Sequence, residues 1–154
     1  MRVARAIQYL DLEVRHDRGG FHTVLYDKRD ELQAQGKMGV VRRFPHVQSV
    51  LSNQCKYGCL VSFLHRALRC NTRRCAFRRD AAQRITEMYV DGYNLRELLQ
   101  RMRSFVETFI TERQQRAATI ATIRGRVKQA VAPMVQRVPR PTLPPGAEKA
   151  TMLR

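Results

Sequence analysis

Apolar side chains recur every three to four residues in three stretches of the chain between residues 53 and 110. Such spacing places them on one face of a helix, so we expect three amphipathic helices, over residues 53–70, over residues 75–90 and from residue 95 onward. The three predicted apolar stripes are, in chain order, Leu60, Phe63, Leu64, Ala67 and Leu68; Phe77, Ala81, Ile85, Met88 and Tyr89; and Leu95, Leu98, Leu99, Met102, Phe105, Val106, Phe109 and Ile110.

The second and third helices are joined by the short segment Asp91-Gly92-Tyr93-Asn94. Gly92 suits the left-handed conformation that ends a helix, and Asn94 suits the N-cap of the next one. Two amphipathic helices around a short turn that contains glycine are typical of a helix-turn-helix. An ordinary helical hairpin in a small bundle has the same spacing, and spacing alone favours that simpler alternative.

The N-terminal part of the chain predicts β structure. Residues 7–14 alternate apolar and polar positions, with Leu10, Leu12 and Val14 on one face. Residues 17–20 (Asp-Arg-Gly-Gly) have turn chemistry, and residues 21–26 alternate again. We therefore expect a β-hairpin over residues 6–27. Because two strands alone are marginal in water, the hairpin must pack on the helices or on a protein partner.

The remaining segments complete the expected organisation. Residues 27–43 are polar and contain glycine, which predicts a connector with little regular structure. Residues 117–132 have a helical apolar pattern that would prolong the third helix until Pro133 ends it. The proline-rich residues beyond predict disorder. The fold class is thus mainly α, a three-helix, helix-turn-helix-like bundle with an N-terminal β-hairpin and a disordered basic C-terminal tail. The expected segments are 1–35 (hairpin), 36–43 (connector), 44–112 (helical domain) and 113–154 (basic helix extension and tail).

The chain carries a net charge of +16 that is unevenly distributed. Residues 36–79 contain ten basic and no acidic side chains, and residues 113–154 contain nine basic and one acidic. Residues 80–112 contain four basic and six acidic side chains. A GC-rich genome would explain why arginine outnumbers lysine, but it would not explain the lack of acids over residues 36–79. Clustered arginines neutralise phosphates, so we expect a nucleic-acid partner, DNA or RNA, bound through its backbone.

The expected main contact surface is the loop at Arg73 and Arg74 together with the start of the second helix. The third helix carries Glu97, Glu107 and Glu112, and so much negative charge is poorly suited to a nucleic-acid groove. The candidate nucleic-acid-binding residues are Arg66, Arg69, Arg73, Arg74, Arg78, Arg79, Arg42, Arg43 and Lys56.

A series of short motifs carries a resemblance to a known family. The motifs are, in chain order, Tyr9-Leu10-Asp11-Leu12, Gly20, Leu25-Tyr26-Asp27-Lys28-Arg29-Asp30, Phe44-Pro45-His46, Phe63-Leu64-His65-Arg66-Ala67-Leu68-Arg69-Cys70 and Gly92-Tyr93-Asn94. Their order resembles the region that follows the palm in retroelement reverse transcriptases, particularly those of Penelope-like elements. The resemblance covers roughly residues 7–105. It implies a hairpin of the kind that lies beside the polymerase palm, followed by a reverse-transcriptase-associated helix-turn-helix domain.

The chain departs from that family in lacking the catalytic carboxylates. Phosphoryl transfer by two metal ions needs paired aspartates on the palm, and no Tyr-x-Asp-Asp stretch is present. No Gly-rich phosphate loop, G-x-S-x-G elbow or H-E-x-x-H motif occurs either. We therefore expect a non-catalytic protein with no cofactor and no small-molecule substrate. Membrane association is not expected, because no apolar run approaches the ~20 residues of a membrane span.

The four cysteines, Cys55, Cys59, Cys70 and Cys75, have a spacing only loosely compatible with a zinc site. Cys70 would lie about three turns along the first helix from Cys59, so a single metal could not bind all four without breaking that helix. We therefore expect core thiols and no metal. The lack of a secretory signal predicts an intracellular location, the nucleus among the options, and reduced thiols.

Three functional hypotheses follow. The first is a nucleic-acid-binding helix-turn-helix module left from a retroelement polymerase. The second is a basic structural or assembly protein of a ribonucleoprotein, whose helical core contacts protein while its basic segments contact RNA. The third is a retroelement fragment that has no selected function.

Overall fold

A computed structural model describes residues 6–9, 12–17, 19–37 and 44–135 of the protein. Within these residues the chain is mainly helical, with an antiparallel three-stranded sheet at its N-terminal side, as the predicted fold class requires in outline. The strands are β1 (Ala6–Tyr9), β2 (Leu12–Asp17) and β3 (Gly20–Leu25). The helices are α1 (Lys28–Ala34), α2 (Asn53–Cys70), α3 (Arg74–Val90), α4 (Leu95–Phe109) and α5 (Arg113–Val135).

The predicted two-stranded hairpin is wrong in its strand count. The single strand expected over residues 7–14 is two strands, because Tyr9 pairs with Leu12 and the chain reverses between them. Alternation persists through such a reversal, so the pattern alone does not reveal it. The second turn lies where it was predicted, with Asp17 paired to Gly20 in register and Gly20 at a φ of 100°.

The sheet is attached to the helices along the outer edge of β3. The Thr72 N–H donates to the Thr23 carbonyl at 3.1 Å, and the Leu25 N–H donates to the Asn71 side-chain oxygen at 3.0 Å. The Thr23 hydroxyl donates to the Cys70 carbonyl at 2.7 Å. The connection between α2 and α3 therefore satisfies backbone groups that an edge strand would otherwise leave open.

The expectation of little regular structure over residues 27–43 is wrong for its first part, which is α1. The Asp27 carboxylate accepts a hydrogen bond from the Arg29 N–H at 3.0 Å, as an N-cap residue does. Directly after the end of α1, the Gln35 side chain donates to the Glu31 carboxylate at 3.0 Å. Residues 38–43 lie outside the described part of the chain.

The boundaries of the next three helices follow their local signals. The Ser52 hydroxyl caps α2 by accepting from the Cys55 N–H, and the Asn94 side chain caps α4 by accepting from the Glu97 N–H at 3.2 Å. Gly92 has a φ of 92° in the turn between α3 and α4. Both ends of α2 and α3 and the start of α4 were predicted within one residue of their observed positions.

One hydrophobic core joins these helices, and it contains the predicted apolar stripes. Ten residues of these stripes are fully buried: Leu60, Leu64, Ala67, Phe77, Ala81, Ile85, Met88, Leu98, Met102 and Val106. Five others are half-buried and pack against the core: Phe63, Leu68, Tyr89, Leu95 and Leu99. Phe109 departs from its stripe, since 46% of it is exposed.

Helix α5 is not the predicted extension of α4. The helix is interrupted at Ile110, and α5 then packs back on α3 and α4, with Ile123, Val127 and Val131 buried in the shared core. Pro133 does not end α5, since the helix continues beyond the proline to Val135. Among the described helices, none combines the length and the apolar content needed to cross a membrane. The predicted disorder of the proline-rich tail falls on residues 136–154, outside the described residues.

Candidate nucleic-acid interface

Six of the nine predicted contact residues lie around one junction. Arg66 and Arg69 belong to the last turns of α2, Arg73 is the N-cap residue of α3, and Arg74, Arg78 and Arg79 belong to its first two turns. The sheet is attached to this same junction through Asn71 and Thr72. Arg42 and Arg43 lie outside the described residues.

Lys56 does not share this surface. It is only 6% exposed, and its Nζ donates a hydrogen bond to the Val47 carbonyl at 2.7 Å. The lysine thus connects the start of α2 to the segment that precedes it. An ammonium group held inside the fold in this way does not reach a phosphate, so Lys56 leaves the candidate set.

Two of the arginines contact carboxylates. Arg73 donates to the Asp17 carboxylate at 2.6 Å, and Arg79 donates to Asp80 at 2.9 Å. The Gly19 N–H and the Arg73 guanidinium hold the pKa of the Asp17 carboxyl below its ordinary value. Arg15, and to a smaller extent Arg79, lower the pKa of the Glu13 carboxyl. The sheet therefore brings the acidic side chains of Asp17 and Glu13 close to arginines of residues 36–79, a stretch whose sequence contains no acidic residue.

Three other arginines have no carboxylate partner among the described residues. Arg69 and Arg74 are exposed and form no ion pair within the part of the chain that the structure describes. Arg78 is half-buried and donates its Nε to the Thr119 hydroxyl at 3.1 Å, which is a neutral partner. The fully buried Thr119 belongs to α5, so this bond also fixes Arg78 against a neighbouring helix.

Arg66, the first of these six residues, also lines a cleft of about 220 Å³ together with Arg29, Arg84 and Asp27, beside the rings of Phe44 and Phe63. Arg84 was not singled out from the sequence. Its guanidinium carbon lies 4.4 Å from the centre of the Phe63 ring and 5.6 Å from that of Phe44, within the range of cation–π attraction. The two aromatic rings belong to sequence-distant segments, so no local pattern could have found this contact.

The N-terminus of α3 adds a further positive feature at the junction. Its N-cap residue, Arg73, makes no side-chain capping bond, and the first turn contains no acidic residue. By contrast, Ser52 and Asn94 cap α2 and α4. The first backbone N–H groups of a helix point outward and favour anions. Arg74 belongs to this first turn, and Arg78 lies one helical turn farther along α3.

The cysteines do not extend the site. Cys55, Cys59, Cys70 and Cys75 are free thiols, of which Cys55 and Cys75 are exposed rather than in the core, contrary to expectation. Over the described ranges, no group of three or more His, Cys, Asp or Glu side chains is placed to hold a metal ion.

Comparison with protein-family models, with curated proteins and with solved structures found no match to this chain.

Proposed function

We propose that the protein is a non-catalytic nucleic-acid-binding protein that holds the phosphate backbone at the α2–α3 junction. The observation that carries this proposal is the placement of Arg69, Arg74 and Arg78, without carboxylate partners in the described structure, around the uncapped N-terminus of α3. Guanidinium groups and helix N-termini both favour phosphate oxygens, and neither reads base sequence at the backbone. We therefore expect binding without sequence choice.

The finer proposal is that α3, its turn and α4 form a helix-turn-helix in shape, without using α4 as a reader. In a DNA-reading helix-turn-helix, the start of the second helix contacts base edges. Here Arg101 and Arg103 of α4 are bound at 2.8 Å to Glu97 and Glu107 respectively. Such pairs leave little net positive charge on the helix. The term helix-turn-helix would then describe the shape and the ancestry of these two helices and not the reading of bases.

Descent from the post-palm region of a reverse transcriptase is part of the proposal, and it is supported by the motifs. Two of their landmarks are in contact, since the Tyr93 hydroxyl donates to the Pro45 carbonyl at 2.6 Å. Tyr93 is 1% exposed and packs edge-on against Tyr57. These landmark residues thus have structural roles. The absence of paired catalytic aspartates from the sequence supports a non-catalytic role.

The test is a salt titration of binding to labelled duplex DNA and to structured RNA. If the three arginines each neutralise one phosphate, the log–log slope on B-DNA is about −2.7, at about −0.9 per phosphate. Replacing Arg69 and Arg74 with Gln then makes the slope shallower by about 1.8. The matched control replaces Arg101 and Arg103 with Gln, which removes the same formal charge from paired positions and changes the slope little. A flat salt response of the unmodified protein overturns the proposal.

A further inference from the structure

A groove runs between α4 and α5, away from the residues assigned to phosphate binding. Its two parts have volumes of about 770 Å³ and 720 Å³, and they share Arg103, Glu107 and Arg124 in their walls. The floor contains the half-buried side chains of Leu95, Leu99 and Ile120, which also pack on the core. The groove thus offers an aliphatic surface formed by the start of α4 and by Ile120 of α5.

The walls of this groove are strongly positive. Five arginines line them against a single glutamate: Arg96, Arg103, Arg113, Arg116, Arg124 and Glu107. Glu107 is already bound to Arg103 at 2.8 Å. Arg96, Arg113 and Arg124 are exposed and form no ion pair with any other described residue. A partner that fits must therefore combine an apolar face with flanking negative charge.

We propose that the α4–α5 groove docks an acidic amphipathic helix of a partner protein. The lining runs from Leu95 to Glu107 on α4, which corresponds to about 18 Å, or three helical turns, at 1.5 Å per residue. An apolar stripe of the partner helix contacts Leu95, Leu99 and Ile120, as in helix-in-groove recognition. Asp or Glu side chains on either side of that stripe pair with Arg96, Arg113 and Arg124.

The lining favours a protein helix over a nucleic-acid strand. Single strands bind by stacking their bases on aromatic side chains, and the described residues that line the groove include no aromatic ring. Aliphatic side chains between two charged walls instead match a stripe of leucines. This groove lies between α4 and α5, whereas the candidate phosphate contacts Arg69 and Arg74 belong to α2 and α3, so either proposal can fail without the other.

The test uses synthetic helical peptides of about 14 residues, long enough to span the groove. One peptide has a leucine stripe flanked by glutamates, a second is a scramble of it without the stripe, and a third has the stripe with lysines in place of the glutamates. Binding is followed by fluorescence anisotropy at physiological salt. The striped acidic peptide should bind at least about tenfold more tightly than the scramble, because burial of one leucine accounts for such a factor. The lysine peptide should not bind.

Two variants and a control locate the binding. Leu99→Asp should abolish binding of the striped acidic peptide, and Arg124→Glu, at an exposed position that the fold does not need, should weaken it. The matched control, Arg74→Glu, changes the net charge equally at the other surface and should leave peptide binding unchanged. Equal binding of striped and scrambled peptides, equal loss in the Arg124→Glu and Arg74→Glu variants, or binding of none of the peptides would overturn the proposal. A competition experiment could also overturn it. If a single-stranded oligonucleotide displaces the striped peptide equally from the unmodified protein and from the Arg74→Glu variant, the groove binds nucleic acid.

Discussion

Lys56 is a positive charge that the sequence suggests is available for binding but that the fold buries. Its place in a stretch with no acidic residue makes it a candidate phosphate ligand, but the fold buries it, and its ammonium group donates to the Val47 carbonyl at 2.7 Å. Replacing it should therefore change the stability of the protein and leave its salt-dependent binding unchanged. An exposed arginine such as Arg74 should behave in the opposite way.

The magnitude follows from what each substitution removes. Lys56→Met keeps most of the apolar stem and removes the donor, which leaves the Val47 carbonyl without its partner. Loss of one partner of a buried hydrogen bond costs about 1–3 kcal/mol in the free energy of unfolding. Lys56→Ala removes three more methylene groups, and at about 0.8 kcal/mol for each buried methylene we expect it to cost about 2 kcal/mol more.

The assay combines urea unfolding with a salt titration of DNA binding for the same variants. We expect Lys56→Met to lower the unfolding midpoint while keeping the log–log salt slope of the unmodified protein. Arg74→Met is the matched control. It should change the free energy of unfolding by less than about 0.5 kcal/mol and make the salt slope shallower by about 0.9. The reasoning would be refuted if Lys56→Met kept the midpoint and lost about one unit of slope, because Lys56 would then contact a phosphate from the surface.

Two further predictions concern the core and the sheet. Leu64→Ala should lower the free energy of unfolding by about 2–5 kcal/mol, because Leu64 is fully buried, whereas Leu51→Ala, at a residue that is 47% exposed, should cost much less; equal unfolding midpoints for the two variants would contradict the assigned helix faces. Asp17→Asn should lose the stabilisation that comes from a depressed carboxyl pKa. Such stabilisation is present above the ordinary aspartate pKa and is lost as the pH falls through the folded value, so the stability difference between Asp17→Asn and the unmodified protein should be full near neutral pH and should shrink below about pH 4. A difference that stays constant with pH in urea unfolding would show that neither the Gly19 N–H nor Arg73 stabilises the Asp17 carboxylate.

The helices were predictable because their signals are local. The Asn94 cap acts on a backbone group three residues away, and the left-handed Gly92 ends α3 within its own turn. The apolar stripe that contains Leu64 in α2 and the one that contains Leu98 in α4 each repeat within their own helix. Each stripe therefore identifies the buried face without reference to a neighbouring helix. Interactions within about four residues thus determined where α2 and α3 begin and end, where α4 begins, and which faces these helices bury.

Other features depended on contacts between residues far apart in the chain. The reversal between β1 and β2 keeps the alternating pattern on both sides, so only the pairing of Tyr9 with Leu12 reveals it. The return of α5 onto α3 and α4 depends on where its buried residues find a surface to pack against, and a helical pattern alone does not specify that direction.

The same division applies to the candidate site. The sequence by itself determined that a long stretch before Asp80 carries only positive charge and that most of it surrounds the junction of two helices. Only the tertiary structure placed Asp17 against Arg73, turned Lys56 into the interior and held Arg78 on Thr119. The physical reason is that electrostatic interaction depends on distance in space and on burial. Neither quantity follows from residue order once the chain has folded back on itself.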